Sequence, residues 1–342
     1  MQEHPEYRKV RRRTRVFGYG ALGTGLVGCV LPLLPGLVFV LLGLSVLSVH
    51  SRRAHGLLVH LRGKYPQTAR SLCSLESWVL EQLHLVTHTR TYLDIPTARG
   101  TTLSALLERS HIAGAPVAIV LHGASGTMET ATNVRLAEVL RRTGASVLRF
   151  DAHDGLGTGQ GVYTAFTTTG YRSDLTDVLA WVRTQEWWTG SVRLVGHSIG
   201  GTVAALAAVA QPDIVADLVL VNPTINGSTL VTLYRERDAA GFEKWKKEGA
   251  RVVKHPLTGE DHTMGFTFVT DAAQYDLAQL ARRITMPVTL LVSTPKGSTV
   301  LPEAERVFAE TLPGDVRTVP LPGVPHTPES RHDLQVLENA LS

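Results

Sequence analysis

From about Thr89 onward, short apolar runs alternate with longer stretches in which apolar residues recur every three or four positions. The runs at 117–121, 147–150, 192–195, 218–221, 288–292 and 316–321 are brief and rich in Val, Leu and Ile, which predicts buried strands. Residues 91–95 and 103–107 predict an opening antiparallel pair. Helical spacing predicts helices over 128–142, with Leu136, Val139 and Leu140 on one side, and over 175–182, 202–210 and 334–341. Strands that alternate with helices in this way predict a mostly parallel sheet covered by helices on both faces. No internal repeat is visible.

The preceding segment has a different pattern. Residues 17–49 contain no charged side chain across 33 positions. As one straight helix they would extend about 50 Å, well beyond a hydrocarbon core of about 30 Å. Pro32, Pro35 and Gly36 sit in the middle and break it. The stretch therefore predicts two short helices, near 17–31 and 37–49, folded as a transmembrane hairpin. Gly18, Gly20, Gly23, Gly25 and Gly28 would let the two approach closely. Lys9, Arg11, Arg12, Arg13 and Arg15 precede the hairpin, and Arg52, Arg53, Arg62 and Lys64 follow it. Positive charge on both flanks places both ends in the cytoplasm; a single crossing would put the remaining domain outside. The segment also resembles small bacterial inner-membrane proteins with a proline- and glycine-broken centre. The expected location is thus a bacterial-type inner membrane, with the large domain facing the cytoplasm.

Residues 54–85 place Leu72, Leu75, Val79 and Leu83 on one helical face. They read as an amphipathic helix, lying either in the headgroup region or against the large domain. The resulting organisation is a basic tail (1–16), a membrane hairpin (17–49), an amphipathic linker (50–88) and an α/β domain (89–342). The net charge is +4, and its N-terminal concentration suits anionic lipid as a partner. No nucleic-acid motif accompanies the charge, so nucleic acid is not an expected partner. Two cysteines, Cys29 and Cys73, do not make a disulfide framework. Oligomeric state is left open.

One motif carries chemistry. Gly196-His197-Ser198-Ile199-Gly200 follows the strand at 192–195 and opens the small-residue helix at 202–210. A sharp strand-to-helix turn lifts a serine hydroxyl clear of the backbone and sets it at a helix N-terminus. Side chains at 196 and 200 would clash in such a turn. Ser198 is the expected nucleophile, and the backbone N–H of Ile199 the expected donor to a developing oxyanion. His197 reads as packing within the turn.

With Leu121-His122-Gly123 after the third strand, Phe150-Asp151 after the fourth, Met286-Pro287 before the seventh and Pro322-Gly323-Val324-Pro325-His326 after the last, residues 89–342 resemble the α/β-hydrolase superfamily. The likeness is strongest to the serine-aminopeptidase and monoacylglycerol-lipase-like group. The resemblance implies His326 as general base and Ala124 as the second oxyanion donor. It also implies a lid over 224–283, where Phe242, Trp245, Phe266, Phe268 and Tyr275 would line an acyl pocket and Lys244, Lys246 and Lys247 would touch headgroups. A surface insertion with a solvated basic face is the alternative. Asp151 and Asp154 read as turn formers.

The third member of a triad is missing from its expected place. The resemblance implies an Asp after the seventh strand, four residues before a proline; counting back from Pro302 lands on Ser298, and no carboxylate lies between Val288 and Leu301. Glu303 or a carboxylate after the sixth strand could serve; Ser298 or a water could orient the ring instead; or hydrolysis has been lost with the fold retained. No metal-ligand spacing or dinucleotide fingerprint occurs, so neither metal nor cofactor is expected. The expected function is a membrane-anchored serine hydrolase of carboxylic esters, acting on acylglycerols or lysophospholipids. A catalytically impaired binding or scaffold protein, and a serine peptidase or acyltransferase, are the alternatives.

Overall fold

A computed structural model describes residues 14–24, 43–44, 47, 57, 88–255 and 258–341. Most of the hairpin (17–49) and nearly all of the linker (50–88) lie outside them. Residues 14–24 are helical. Among the described residues, no helix is long and apolar enough to cross a membrane.

The eight apolar strands form one sheet. In chain order they are β1 (His88–Pro96), β2 (Thr102–Ser110), β3 (Val117–Leu121), β4 (Ser146–Phe150), β5 (Val192–His197), β6 (Val215–Val221), β9 (Val288–Thr294) and β10 (Val316–Pro322). Their spatial order is β1-β2-β4-β3-β5-β6-β9-β10, while β7 (Ala250–Lys254) and β8 (Asp261–Gly265) pair separately. β1 and β2 pair antiparallel, β2 meets β4 antiparallel, and the rest of the sheet runs parallel.

Alternation along each strand sorts the core into two layers. Ile119, Leu121, Leu194, Leu218 and Leu220 face helices α2 (Thr168–Val182) and α3 (Ile199–Ala210). Ala118, Val120, Val195, Val219 and Val221 face α1 (Ala131–Arg142) and, at the far end of the chain, α9 (Arg331–Leu341). A period of two in the strands thus builds a helix–sheet–helix sandwich. α2 begins seven residues before its expected start because the Thr167 hydroxyl caps it, accepting from Gly170 N–H at 3.0 Å.

Between β6 and β9 the chain forms α4 (Gly227–Arg237), α5 (Ala239–Glu248), the β7–β8 hairpin, α6 (Thr267–Ala272) and α7 (Leu277–Leu280); α8 (Glu303–Thr311) follows β9. The hairpin docks on the single turn Tyr163–Ala165: a side chain at Gly265 would lie 2.0 Å from the Thr164 carbonyl oxygen. Phe242, Trp245 and Phe268 are buried and belong to the main core. Phe268 has no exposed surface.

A charged cluster is buried where β1, β2, β4 and α1 meet. Glu108 is fully buried and lies 2.9 Å from Arg90, 3.3 Å from Arg141 and 3.4 Å from Arg149. Burial alone would raise its pKa; Arg141, Arg149 and Arg90 outweigh that and hold the carboxyl well below the usual range.

Candidate functional site

Ser198 sits at the bend between β5 and α3 with φ 55° and ψ −123°, a backbone conformation that non-glycine residues rarely adopt. The strain is held in place by neighbours. Ser198 N–H donates to the Val221 carbonyl at 3.0 Å, and its own carbonyl accepts from Gly201 and Thr202. The two flanking glycines are obligatory for distance reasons. A Cβ at Gly196 would lie 2.3 Å from the Gly200 oxygen, and one at Gly200 would lie 2.6 Å from the His122 oxygen.

His326 meets the serine from the loop after β10. Its Nε2 lies 2.9 Å from Ser198 Oγ, so the structure brings these two groups into hydrogen-bonding contact. The loop between β3 and α1 comes close as well: a Cβ at Gly123 would stand 3.3 Å from Ser198 Cβ. Ala124 follows directly. Its N–H and that of Ile199, at the start of α3, have no acceptor among the described residues. The Ala124 carbonyl is fixed from the other side by the Tyr163 hydroxyl at 3.1 Å. Buried His122 stiffens the same loop, its Nε2 accepting from Ala152 N–H at 3.1 Å and its Nδ1–H donating to the Gly123 carbonyl at 2.8 Å.

Asp151 and Asp154 organise the segment after β4. The Asp151 carboxylate accepts from Met128 N–H, Thr158 N–H and the Thr158 hydroxyl at 2.7, 2.8 and 3.0 Å. Asp154 accepts from Val162 N–H at 3.2 Å.

Neither Ser298 nor Glu303 is placed at the histidine ring. The Ser298 hydroxyl accepts from Val300 N–H at 3.1 Å and closes its own turn. Exposed Glu303 is held by Arg306 Nη2 at 2.7 Å and Nε at 3.1 Å. Among the described residues, no carboxylate hydrogen-bonds or ion-pairs with His326, and its Nδ1 has no protein acceptor.

What fixes His326 is a grip on its backbone. The His326 carbonyl accepts from His197 Nε2–H and from Asn222 Nδ2–H, both at 2.8 Å. Asn222 also donates to Ser293 Oγ at 2.8 Å and accepts from Ser293 N–H at 2.6 Å, while Ser293 Oγ donates to the Pro325 carbonyl at 3.0 Å. Further along, the Thr132 hydroxyl donates to the Pro328 carbonyl at 2.6 Å. His197 is thus more than packing; its link spans 129 residues and leaves no local trace in the sequence. Asn222 did leave one. An Asn-Pro step ending an apolar strand marks a turn, and Asn tolerates the positive φ of 45° found there.

Electrostatics disfavour the charged form of both rings. Burial, then neighbouring His326, lowers the His197 pKa to about 4. Desolvation, then the positive charge of Arg237, lowers that of His326 below the ordinary imidazole value. A neutral ring whose Nε2 faces a hydroxyl is suited to take its proton.

Residues 115–330 match the family described as serine aminopeptidase, S33. Mouse (Mus musculus) palmitoyl-protein thioesterase ABHD10, a mitochondrial protein, is 26% identical over 177 residues, covering 52% of this chain and 57% of the mouse protein. The sn-1-specific diacylglycerol lipase ABHD11 of Danio rerio is 35% identical over 105 residues, 30% of each chain. The chain therefore spans little more than half of the first relative and under a third of the second. Among solved structures, Est1E of Butyrivibrio proteoclasticus with ferulic acid bound aligns with a TM-score of 0.59 at 21% identity, over 73% of this chain and 96% of Est1E. That likeness establishes a shared fold.

Proposed function

The chain belongs to the serine aminopeptidase S33 family of α/β hydrolases, and from that premise we propose that it is a serine hydrolase of carboxylic esters acting through Ser198 and His326. The observation that carries the reading is the 2.9 Å contact between His326 Nε2 and Ser198 Oγ at a strained turn. Ser198 Oγ attacks the ester carbonyl carbon as its proton passes to His326 Nε2. The oxyanion forms against the N–H groups of Ile199 and Ala124. The ester C–O bond then breaks, and the departing alkoxide takes the proton from His326. Water, deprotonated by the same nitrogen, attacks the acyl-serine; the acid is released and Ser198 regains its proton. Acylglycerols or lysophospholipids are the proposed substrates. Relatives named as a thioesterase and a diacylglycerol lipase support acyl chemistry.

A fluorophosphonate probe tests the proposal. Wild type is expected to label, and Ser198→Ala and His326→Ala to lose labelling. Equal labelling of wild type and Ser198→Ala would end it. The open Nδ1 of His326 favours a second reading, a binding or scaffold protein with impaired chemistry. That reading requires no labelling and no turnover of p-nitrophenyl esters of any chain length. A peptidase would instead cleave aminoacyl naphthylamides faster than esters.

The N-terminal segment is proposed to anchor the protein in a membrane, with the hydrolase domain on the cytoplasmic side. Support comes from its uncharged stretch and from one close approach: a Cβ at Gly43 would lie 2.6 Å from Leu22 N and 3.0 Å from the Gly18 oxygen. Retention in the membrane fraction after alkaline carbonate washing is the expected result. Full release into the supernatant would refute the anchor.

A further inference from the structure

The segment between β6 and β9 carries an arginine unlike the others in the sheet domain. Arg251, on β7, lays its guanidinium over the Trp245 ring at 3.8 Å and near the Tyr234 ring at 4.8 Å. The two rings are themselves edge to face at 5.8 Å. Elsewhere the buried arginines meet carboxylates: Arg90, Arg141 and Arg149 surround Glu108, and Arg135 pairs with Glu138 and Glu338. Arg251 has no carboxylate within ion-pair distance among the described residues. Its Nε is buried without an acceptor, and its Nη2 reaches only the thioether sulfur of Met264 at 3.9 Å. A thioether is a weak acceptor, and stacking on indole offsets only part of the cost of removing a guanidinium from water.

This arginine forms part of the wall of an open groove of about 700 Å³ between α4, α5 and the β7–β8 hairpin. That volume lies in the range of small-ligand sites. Tyr234, Phe242, Trp245 and Val253 supply an apolar lining. Of the charged residues around it, Lys244, Lys254 and Arg251 are cationic and Asp238 and Glu248 anionic, and Asp238 caps α5 by accepting from Gly241 N–H at 2.8 Å. The groove thus joins an apolar floor to a planar cation that lacks a counter-charge. Trp245 covers one face of that cation, Nε is buried and Nη2 is turned to Met264, which leaves Nη1 as the nitrogen that is neither buried nor bonded.

We propose that this groove is a binding site for an amphipathic carboxylate, its head paired with Arg251 and its alkyl chain lying along Tyr234, Val252 and Val253. A charge-assisted hydrogen bond from Nη1 to a carboxylate is stronger than one to a neutral acceptor. The site is distinct from Ser198 and does not depend on the hydrolase reading.

Calorimetric titration of the full chain with laurate, dodecyl phosphate and dodecanol, each below its aggregation concentration, tests the proposal. Laurate is expected to bind at least tenfold more tightly than dodecanol, and its affinity to fall with added NaCl while that of dodecanol does not. Arg251→Met, which keeps the length and apolar packing, is expected to lose at least tenfold in laurate affinity with an unchanged circular dichroism spectrum. Ser198→Ala is expected to bind laurate within twofold of wild type. Equal binding of laurate and dodecanol, or no salt dependence, would overturn the proposal on wild type alone, whether or not the Arg251 variant folds. Unchanged binding by folded Arg251→Met would overturn it too. Loss of laurate binding in Ser198→Ala would place the ligand at the serine instead, and dodecyl phosphate binding as tightly as laurate would overturn the assignment to a carboxylate.

Discussion

Asn222→Ala separates the role of the backbone grip from the role of the ring. The side chain makes three hydrogen bonds of 2.6–2.8 Å, two with Ser293 and one with the His326 carbonyl. Each contributes about 1 kcal/mol net, and alanine adds about 1 kcal/mol for holding a positive φ of 45°. The expected destabilisation is about 3–4 kcal/mol, read as a lower urea midpoint at unchanged m-value. Domains of this class have about 5–15 kcal/mol in reserve, so the variant should still fold. The catalytic effect is separate. The productive contact is a single 2.9 Å hydrogen bond, and a misplacement of about 1 Å costs roughly 100-fold in rate. With one of two donors to the His326 carbonyl removed, kcat on p-nitrophenyl butyrate should fall about 10- to 100-fold, or about 1.4–2.7 kcal/mol in barrier, with KM nearly unchanged. If stability falls as expected but kcat stays within twofold of wild type, Asn222 is a purely structural residue and the reasoning about the grip is refuted.

The acidity of His326 gives a second expectation. Only the neutral ring accepts the serine proton, so kcat/KM on a neutral ester should rise through a pKa below the ordinary 6.5 and then level off; a limb at or above that value would contradict it. Arg237→Gln removes a positive charge near the ring and should move the limb upward, with the plateau retained. Glu108→Gln should destabilise by about 3–5 kcal/mol, because three arginines would be left buried around a neutral group. Its folded pKa is depressed, so the wild-type contribution is present above the unfolded carboxyl value and is lost as pH falls through the folded one. Acid titration of stability should therefore be shallower in the variant, and equal slopes would refute it. Gly196→Ala should cost about 2 kcal/mol or more and most of the activity, since its Cβ would meet a backbone oxygen at 2.3 Å; a fully active, equally stable variant would show that the turn can relax.

The sheet was legible in the sequence because its central strands are buried on both sides, and continuous apolar runs such as Val117–Leu121 are the mark of such strands. The serine turn was legible because its glycines and the flanking strand and helix are local. Start points failed where capping decides them, as at Thr167, whose Thr-Thr-Thr-Gly context resembles a loop. α8 is hard to read because it is short, nine residues with a single buried side chain, Phe308. The Glu108 cluster was hidden for another reason. Its arginines lie on β1, α1 and β4, and only the folded sheet brings them to one carboxylate. The same holds for the grip on His326, assembled from residues 197, 222 and 293, each more than thirty positions from the loop it holds.

That grip changes what the absent acid means. A triad carboxylate does two things: it sets the orientation of the imidazole, and it compensates the positive charge that forms when the serine proton arrives. Here the two functions come apart. Placement of the loop is retained, because the carbonyls of Pro325, His326 and Pro328 each accept a side-chain hydrogen bond, and Nε2 stands 2.9 Å from Ser198 Oγ. Charge compensation is not provided among the described residues, and desolvation and Arg237 both oppose an imidazolium at this position. A well-aimed but weakly basic histidine should therefore give slow turnover of good leaving groups and slower turnover of poor ones, whose departure relies most on the proton held at Nε2. A steep dependence of kcat on leaving-group pKa across a series of phenyl esters is the signature of that division, and a flat dependence would mean that the ring's charge is compensated by a group that does not contact it among the described residues.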